Sequence, residues 1–425
     1  MELKQKVMNF VDENQEQMFE MLSKLVQINS ENFVSHGNEK ECALAVQKIY
    51  EDFDLIAEYY YPDAVMKDNS DYLAGRSTDV RPNVAGVYKG TGKGEGKGSV
   101  MIAAHLDTVE LGDEELWTVP PLSGVIKDDR IYGRGVGDNK YGIVAALYAL
   151  EAIRKSGIEL NRDVILSAYC DEEFGGGNGS IASCVKYPCD AYISLDSPYG
   201  ELMVVSVGGQ ALKTSLKTRD TQDSAALAID GLNAVKEEID KFGQRRRDEL
   251  GENPYYAGTQ MQESAYRISD YFCGKAGTDL SKGGMNFVFY TDKTKDEIYE
   301  ELNAIEKTCT EKLDKMDIDF GGIELVSRYF DYMTIDEDED IVQMMSKNIE
   351  EIQGKPTVIA GACLSDYFLY LKHGSPKSIS YGIIGDFKEY GGAHQPDEFI
   401  TCKDFVDVTK AVSLFLLEWC GYTIK

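Results

Sequence analysis

Residues 164–176 read Val164-Ile165-Leu166-Ser167-Ala168-Tyr169-Cys170-Asp171-Glu172-Glu173-Phe174-Gly175-Gly176. The apolar part has the length and composition of a buried strand, and two adjacent acidic residues and a glycine cluster close it. Neighbouring side chains on an extended segment point in opposite directions, so Glu172 and Glu173 can serve separately as general base and metal ligand. Acidic residues and glycine also crowd ordinary turns, and this segment alone favours an acidic turn.

Strand and helix patterns alternate around this run. Asn83–Tyr88 and Ser99–Ala104 predict strands, and the glycine run Gly90–Gly98 between them is typical of a flexible hairpin connection. Helical spacing returns over Gly142–Leu150, and Ala191–Leu195 is a further short apolar strand. Continuous apolar strands with helices between them favour an α/β fold whose mostly parallel sheet is covered by helices on both faces.

The chain of 425 residues is long enough for two domains. From about Val205 the pattern changes to alternating strands and polar helices, and the last hundred residues resume the α/β pattern. We therefore predict a discontinuous catalytic domain over residues 1–204 and 326–425, interrupted by a smaller α+β lid domain over 205–325.

Composition excludes several classes of partner. A formal net charge of −29 repels nucleic acid and anionic membranes and attracts cations. The chain lacks an apolar stretch of the roughly 20 residues that span a bilayer, and its start lacks a signal-peptide apolar core. Nine scattered cysteines without a C-x-x-C pair fit reduced thiols rather than disulfides or a thiolate zinc site. We expect a cytoplasmic location.

Further segments with metal-type ligands end apolar strands or lie in glycine-rich loops. They contain His105 with Asp107, Asp138, Asp196, and His394. Parallel sheets place their sites at the carboxyl ends of strands, so these side chains and the paired glutamates are expected to share one cleft. Mixed histidine and carboxylate ligation suits zinc, with cobalt or manganese as substitutes, and a bridging carboxylate would allow two ions to activate one water.

Two residues fit supporting roles beside such ligands. Glu172 adjoins a ligand without having to be one, which suits the general base that takes the proton of the attacking water. Asp107 lies two residues beyond His105 and could accept the second ring N–H of that histidine, which would fix its tautomer.

Two longer motifs carry a family resemblance. Gly133-Arg134-Gly135-Val136-Gly137-Asp138-Asn139-Lys140 and Glu389-Tyr390-Gly391-Gly392-Ala393-His394-Gln395-Pro396-Asp397-Glu398 are similar to segments of the M20 family of dizinc peptidases and amidohydrolases. That family includes acetylornithine deacetylase, succinyl-diaminopimelate desuccinylase, aminoacylase-1, peptidase T and the PepV-type dipeptidases. The resemblance covers nearly the whole catalytic part.

The resemblance implies a role for each matching residue. One zinc would be bound by His105, Asp138 and Asp196, and the other by Asp138, Glu173 and His394. Glu172 would be the general base and Asp107 the orienting partner. Ser365-Asp366 resembles a late pair of the family that shapes the substrate pocket, which suggests Asp366 as a substrate-binding residue.

The lid departs from the family pattern. Many members place a lid histidine on the scissile carbonyl, often across a dimer, but the histidines here are His36, His105, His373 and His394. Lys217–Asp223 occupies the region where the lid histidine is expected. Replacement hydrogen-bond donors could be Arg219, Tyr266, Asn286 or the run Arg245-Arg246-Arg247, although that run is more typical of a helix end.

These residues predict a dizinc hydrolase that cleaves an amide bond of a small amino-acid derivative, either an N-acyl amino acid or a di- or tripeptide. A metal-bridging hydroxide would attack the carbonyl, with Glu172 as base. An aminopeptidase or dipeptidase rather than a deacylase is one alternative. A metal-binding homologue that has lost catalysis with its lid histidine is another. The resemblance also suggests a homodimer through the lid domain.

Overall fold

The computed structural model describes residues 2–33, 35–76, 80–219, 224–274 and 279–424. The chain divides into two compact units, one formed by Met1–Val204 with Ile335–Lys425 and the other by Val205–Thr334. The second unit runs on to Thr334, beyond the boundary at residue 325 that the sequence pattern predicts. Among the described residues, no helix is both long and apolar enough to cross a lipid bilayer.

A mixed sheet forms the core of the first unit. Its strands follow the order Leu202–Ser206, Ser378–Tyr381, Ala191–Ser194, Val100–His105, Val164–Tyr169, Asn83–Tyr88 and Ile56–Tyr60, with Ile359–Ala362 paired to the first of them. The four strands from Ser378–Tyr381 to Val164–Tyr169 run parallel to one another. The next strand on either side is antiparallel to them. The α/β class is confirmed, with the parallel pairing confined to the centre of the sheet.

The expected hairpin between residues 83–88 and 99–104 is wrong. The fully buried strand Val164–Tyr169 lies between these two strands, antiparallel to one and parallel to the other. The Gly90–Gly98 connection instead packs closely on other segments: a Cβ at Gly90 would lie 2.5 Å from the backbone carbon of Arg162. Gly90 and Gly96 therefore allow close backbone contact, the second of them beside the carbonyl oxygen of Cys420, whereas the sequence suggests only flexibility.

Helices cover both faces of this sheet. They span Glu2–Glu13, Gln15–Val26, Glu39–Asp52, Pro62–Met66, Tyr141–Lys155, Asn178–Lys186, Asp340–Gln353, Tyr367–Leu369 and Cys402–Cys420. Asn83 donates from Nδ2 to the carbonyl oxygen of Gly179 at 2.7 Å, on one face. Gly86 faces the opposite way, because side-chain directions alternate along a strand, and packs against Tyr50. The prediction of helices on both faces agrees with these contacts.

Short strand pairs connect the loops of the first unit. Phe399–Thr401 pairs antiparallel with Arg130–Tyr132, which in turn pairs with Ile126–Lys127. The remaining pairs are Asn32–Phe33 with His36–Gly37 and Ile158–Leu160 with Tyr422–Ile424. The first of these small sheets places the chain just before Asp138 beside the chain just after His394.

The second unit is a four-stranded antiparallel sheet with two long helices. Its strands Tyr266–Cys273, Lys282–Thr291, Gly208–Thr218 and Ile318–Leu325 lie in that order across the sheet, and the long helices are Ser224–Glu252 and Lys295–Asp314. A short helix, Gln260–Glu263, and a short strand, Met333–Thr334, complete the unit. The short strand pairs antiparallel with Val205 and Ser206, at the end of Leu202–Ser206, and does not belong to the four-stranded sheet. This strand–helix–strand–strand–helix–strand order is the ferredoxin-like arrangement.

One sequence expectation in this unit needs correction, and another lies partly outside the described residues. The run Arg245–Arg247 lies inside the helix Ser224–Glu252 rather than at its end, and Arg246 is fully buried. Its guanidinium donates to Glu249 at 2.7 Å and to Glu301 at 2.9 Å, so it joins the two long helices. In the stretch Lys217–Asp223, residues 220–223 lie outside the described residues.

Candidate metal centre

Four of the predicted site residues lie at the carboxyl ends of neighbouring parallel strands. His105 is the last residue of Val100–His105, and Glu172 and Glu173 follow Val164–Tyr169. Asp196 follows Ala191–Ser194, which pairs with the His105 strand on its other side. Because parallel strands end at the same edge of a sheet, their order brings the four side chains to one place.

Asp138 and His394 reach the same place from loops. Asp138 lies in the irregular helical turn Val136–Lys140, and His394 has a left-handed backbone with φ of 63°. Asp138 Oδ1 lies 2.8 Å from His105 Nε2, and Asp138 Oδ2 lies 3.2 Å from His394 Nε2. His394 Nε2 is also 2.8 Å from Glu173 Oε2. One carboxylate thus presents an oxygen to each imidazole, as a carboxylate that bridges two ions must.

The atoms that could bind a metal ion form two overlapping groups. His105, Asp138 and Glu173 can place one ligand atom each within 4.8 Å of one another, and so can His105, Glu172 and Asp196. Glu172, expected as a base, therefore lies as close to His105 and Asp196 as a ligand would. A base that takes a proton from water beside a metal ion must occupy such a position as well, so a variant of Glu172 has to separate the two roles.

The clustered carboxylates destabilise one another's charged forms, and bound cations would relieve this repulsion. Burial raises the pKa of Glu172 well above its usual value, and the charge of Asp196 adds to this effect. Burial and neighbouring carboxylates likewise raise the pKa of Asp196 to about 7, against the influence of His105. Carboxylates gathered in a buried place repel one another unless positive charge is bound between them. Imidazole and carboxylate donors fit zinc, cobalt or manganese, so the donor set matches a divalent transition metal.

Asp107 contacts the site differently from the expectation. The acceptor nearest to His105 Nδ1 is the backbone carbonyl oxygen of Asp107, at 2.9 Å, while the Asp107 carboxylate is 3.6 Å away. Asp107 Oδ2 instead accepts hydrogen bonds from Asn32 Nδ2 at 2.8 Å and from the backbone N–H groups of Glu172 and Glu173 at 3.0 and 3.2 Å. Although burial opposes it, the His105 imidazole holds the pKa of Asp107 below its usual value. Asp107 thus fixes the turn that carries both glutamates.

Asp366 lies beside the cluster rather than among the ligand groups. Its side chain is fully buried, and Oδ2 accepts a hydrogen bond from Ser180 Oγ at 2.6 Å. Its charge is one of those that raise the pKa of Glu172 and Asp196. A fully buried carboxylate can act on a substrate only from beneath the site surface, and its substrate role stays a prediction.

The ion pair between Arg134 and Glu398 has a role that the sequence reasoning missed. Arg134 Nη1 donates to Glu398 Oε2 at 2.8 Å, and Arg134 Nη2 donates to the carbonyl oxygen of His394 at 3.2 Å. Glu398 Oε1 accepts the backbone N–H groups of Gly137 at 3.0 Å and Asp138 at 3.2 Å. The pair ties together the two loops that supply Asp138 and His394. Arg134 and Glu398 both belong to the two motifs quoted above, and this is the sequence signal that could have indicated their role.

Two buried residues after Asp138 hold further segments in place. Tyr141 donates from its hydroxyl to the carbonyl oxygen of Leu195 at 2.6 Å, directly before Asp196, and accepts the backbone N–H of Ile383 at 3.1 Å. Lys140 donates from Nζ to the carbonyl oxygens of Leu25 at 3.1 Å and Ile28 at 2.7 Å, at the end of the helix Gln15–Val26. The aromatic and basic residues next to a predicted ligand are the only sequence signal for these contacts.

Comparison with known proteins places this geometry in a family. The model of peptidase family M20/M25/M40 matches residues 101–418. The chain is 24% identical over 374 residues to the N-formyl-4-amino-5-aminomethyl-2-methylpyrimidine deformylase of Bacillus subtilis (strain 168), covering 80% of this chain and 83% of that protein. It is 23% identical over 365 residues to the succinyl-diaminopimelate desuccinylase of Hydrogenovibrio crunogenus, covering 80% and 89% respectively.

Among solved structures, the dipeptidase Dug1p of Saccharomyces cerevisiae matches with a TM-score of 0.73 at 15% identity, over 98% of each chain. At that identity the likeness concerns the fold, whereas the family match covers the strands, loops and side chains that form the candidate centre. The chain therefore belongs to peptidase family M20/M25/M40, and it is a metal-dependent hydrolase.

Proposed function

We propose that this hydrolase binds two divalent cations and cleaves an amide bond in a small amino-acid derivative. Zinc is the proposed metal, with cobalt or manganese as substitutes. The observation that carries the proposal is the position of Asp138, whose two oxygens face His105 and His394 separately. Asp196 would complete the ligands around His105, and Glu173 those around His394. Two cations held in this way would acidify a water molecule and polarise the scissile carbonyl.

The chain's own residues would orient the reactants and move the proton. Glu172 lies beside His105 and Asp196 and is not needed as a ligand in this scheme, so it can take a proton from water and pass it to the leaving amine. Asp107 holds the backbone of Glu172, which fixes the direction of that carboxylate. Asp366 would influence the bound substrate only indirectly, because its buried charge lies beneath the site.

Stabilisation of the developing oxyanion has to come from a group other than a lid histidine, because the sequence contains no histidine between residues 106 and 372. Four of the candidate donors already have acidic partners within the second unit. Arg245 binds Glu301 at 3.1 Å, and the Tyr266 hydroxyl donates to Asp240 at 3.2 Å. Arg219 binds Asp314 at 2.8 Å and Asp319 at 2.7 Å, and Arg246 binds Glu249 and Glu301. We propose that the bound cations supply most of this stabilisation.

We further propose that the second unit acts as a lid and carries any homodimer contact. Tyr271 and Phe272 are exposed on Tyr266–Cys273, which is an edge strand of the four-stranded sheet. Unpaired edges with exposed aromatic side chains favour association between chains. Sedimentation of the wild-type chain beside a Tyr271→Lys, Phe272→Lys double variant tests this proposal, because only a dimer through this edge would dissociate. The proposed location is the cytoplasm, where the free cysteines would stay reduced.

Substrate class is the finer part of the proposal. The names of the relatives include a deformylase, a desuccinylase and a dipeptidase, so a blocked or a free amino group is the feature that discriminates among them. A panel of free dipeptides and tripeptides beside N-formyl, N-acetyl and N-succinyl amino acids, each with added zinc, cobalt or manganese, makes that comparison. We expect turnover of one group and little of the other.

Metal content of the wild-type chain after metal repletion accompanies the panel. Two ions per chain with turnover of a panel member would support the proposal. Two ions without turnover of any member would favour a metal-binding homologue that has lost catalysis. Fewer than one tightly bound ion would refute the two-metal site.

A further inference from the structure

The turn that carries Glu172 begins with an unfavourable backbone conformation. Asp171 has a φ of 67°, in the left-handed region that residues other than glycine rarely adopt. Such a conformation persists only where surrounding contacts hold it. The carbonyl oxygen of Asp171 accepts the backbone N–H of Gly177 at 2.8 Å, which closes the turn from one side. The remaining contacts involve side chains distant in sequence.

Two arginines bind the Asp171 carboxylate. Asp171 Oδ1 accepts from Arg76 Nε at 2.8 Å and from Arg81 Nη1 at 2.9 Å. Arg81 is fully buried and also donates to the carbonyl oxygens of Phe33 and His36, so it belongs to the packing of the surrounding loops. Arg76 is 8% exposed and makes a different second contact.

That second contact closes a ring around the turn. Arg76 Nη2 donates to Asn32 Oδ1 at 3.2 Å, and Asn32 Nδ2 donates to Asp107 Oδ2 at 2.8 Å. The same Asp107 oxygen accepts the backbone N–H groups of Glu172 and Glu173. A continuous path therefore runs from Asp171 through Arg76, Asn32 and Asp107 back to the residue that follows Asp171. Each end of the path fixes one side of the peptide that leads into Glu172.

We infer that Arg76 is a positioning residue for Glu172: its guanidinium joins the Asp171 carboxylate to the Asn32 amide and thereby sets the direction of the Glu172–Glu173 turn. The inference rests on the proposed function, because the role of Glu172 as base defines the reaction that the ring supports. Arginine suits this position better than lysine, since its planar group can donate to two acceptors at once in a fixed geometry.

Arg76→Ala and Arg76→Lys test the inference, using the panel substrate that the wild-type chain turns over best. Displacement of a catalytic group by about 1 Å can lower a rate roughly 100-fold, so we expect a loss of that order in kcat with KM changed less than about threefold. Both ions should stay bound. Methylguanidine added to Arg76→Ala should restore part of kcat and leave Glu172→Ala inactive.

Arg154 supplies the matched control, because it is a partly buried arginine of the same unit that binds Phe53 and Glu151 instead. Arg154→Ala and Arg154→Lys should keep wild-type kcat and show no response to methylguanidine. In a double-mutant cycle, Arg76→Ala with Asn32→Ala should lose little more than either single change, because both break the same ring. Full additivity, or wild-type kcat in Arg76→Ala, would overturn the inference.

The absorption spectrum of the cobalt-substituted chain tests the role of Arg76 independently of whether the proposed function is correct. A displaced Glu173 alters the ligand field, so Arg76→Ala should change the spectrum at unchanged cobalt content, and methylguanidine should reverse the change. If the wild-type chain turns over no substrate, the proposed function fails while the spectrum still tests the ring. An unchanged spectrum in Arg76→Ala would refute the inference even if the function holds.

Discussion

Glu398 accepts the backbone N–H of Asp138 at 3.2 Å, although 260 positions separate the two residues in the chain. Through its ion pair with Arg134 it also holds the backbone of His394. Two of the proposed ligands therefore depend on one buried carboxylate that is not itself in either candidate ligand group. Such outer contacts orient the ligands and tune their affinity for the ion.

Removal of this carboxylate should weaken metal binding. Residues that orient metal ligands typically affect affinity by about 10- to 100-fold, and we expect a decrease in this range for zinc in Glu398→Ala. Glu398→Gln keeps an acceptor for the N–H groups of Gly137 and Asp138 but loses the charge that pairs with Arg134, so it should fall between the wild type and Glu398→Ala. Competition with a chromophoric chelator measures the affinity.

The control for this prediction is Glu351→Gln, which removes a partly exposed carboxylate that pairs with Lys4 at 3.0 Å. Its zinc affinity should equal that of the wild type. If Glu398→Ala binds zinc as tightly as the control does, the role assigned to the Arg134–Glu398 pair is wrong.

The shared position of Asp138 predicts a difference between two asparagine variants. Asp138→Asn should lose most of both ions, since an amide is a poor replacement for the carboxylate that faces both imidazoles. Asp196→Asn should lose one ion and keep the other. Elemental analysis after gel filtration gives the content, with the exposed Asp128→Asn as control. Retention of one full ion in Asp138→Asn would contradict a bridging carboxylate.

Gly176 packs against the carboxylate of Asp171, which Arg76 also binds. A Cβ at this position would lie 2.0 Å from Asp171 Oδ2, so Gly176→Ala must displace Asp171 or the backbone. Overpacking of this kind destabilises a protein by about 1 to 3 kcal/mol, and urea unfolding should show a loss in that range. Gly75→Ala is the matched control, because a Cβ there would meet nothing within 4 Å. Equal stability of the two variants would refute the close contact.

Glu39 introduces a pH dependence of stability. Its side chain is fully buried, and burial raises its pKa from 4.5 to about 9, although Arg81 lies 3.4 Å away. Because the folded pKa exceeds the unfolded one, the contribution of Glu39 is fully present below pH 4.5 and is lost as the pH rises towards about 9. Glu39→Gln keeps a neutral side chain at every pH. The free energy of unfolding of this variant, relative to that of the wild type, should therefore increase as the pH rises from 4.5 to about 9. A constant difference would show that Glu39 is ionised in the folded protein.

Much of the candidate centre could be predicted from sequence because its proposed ligands follow recognisable patterns. The apolar run that ends before Glu172 and the strand that ends at His105 indicate where carboxyl ends of strands lie, and parallel pairing brings such ends together. Asp138 and His394 lie in loops, where the neighbouring glycines and the family-like motifs around them mark them as candidate ligands. The candidate ligands can therefore be recognised from short segments of the sequence, taken together.

The supporting contacts could not be predicted in the same way. Asn32 begins the two-residue strand Asn32–Phe33 and Arg76 lies in a loop, and nothing local to either residue indicates a contact with Asp107 or Asp171. The order of strands also escaped prediction, because Val164–Tyr169 separates two strands that are consecutive in sequence. Each of these features depends on which distant segments meet, which composition and periodicity do not encode.

The most direct test of the two-metal hydrolase is the metal content and turnover of Glu172→Ala, measured together on one preparation with Glu172→Gln as the closest variant in shape. Glu172 can be a base or a ligand from its position beside His105 and Asp196. Our account predicts that both variants keep two zinc ions per chain and lose nearly all turnover of the best panel substrate. Loss of an ion from Glu172→Ala, or turnover near the wild-type rate, would contradict it.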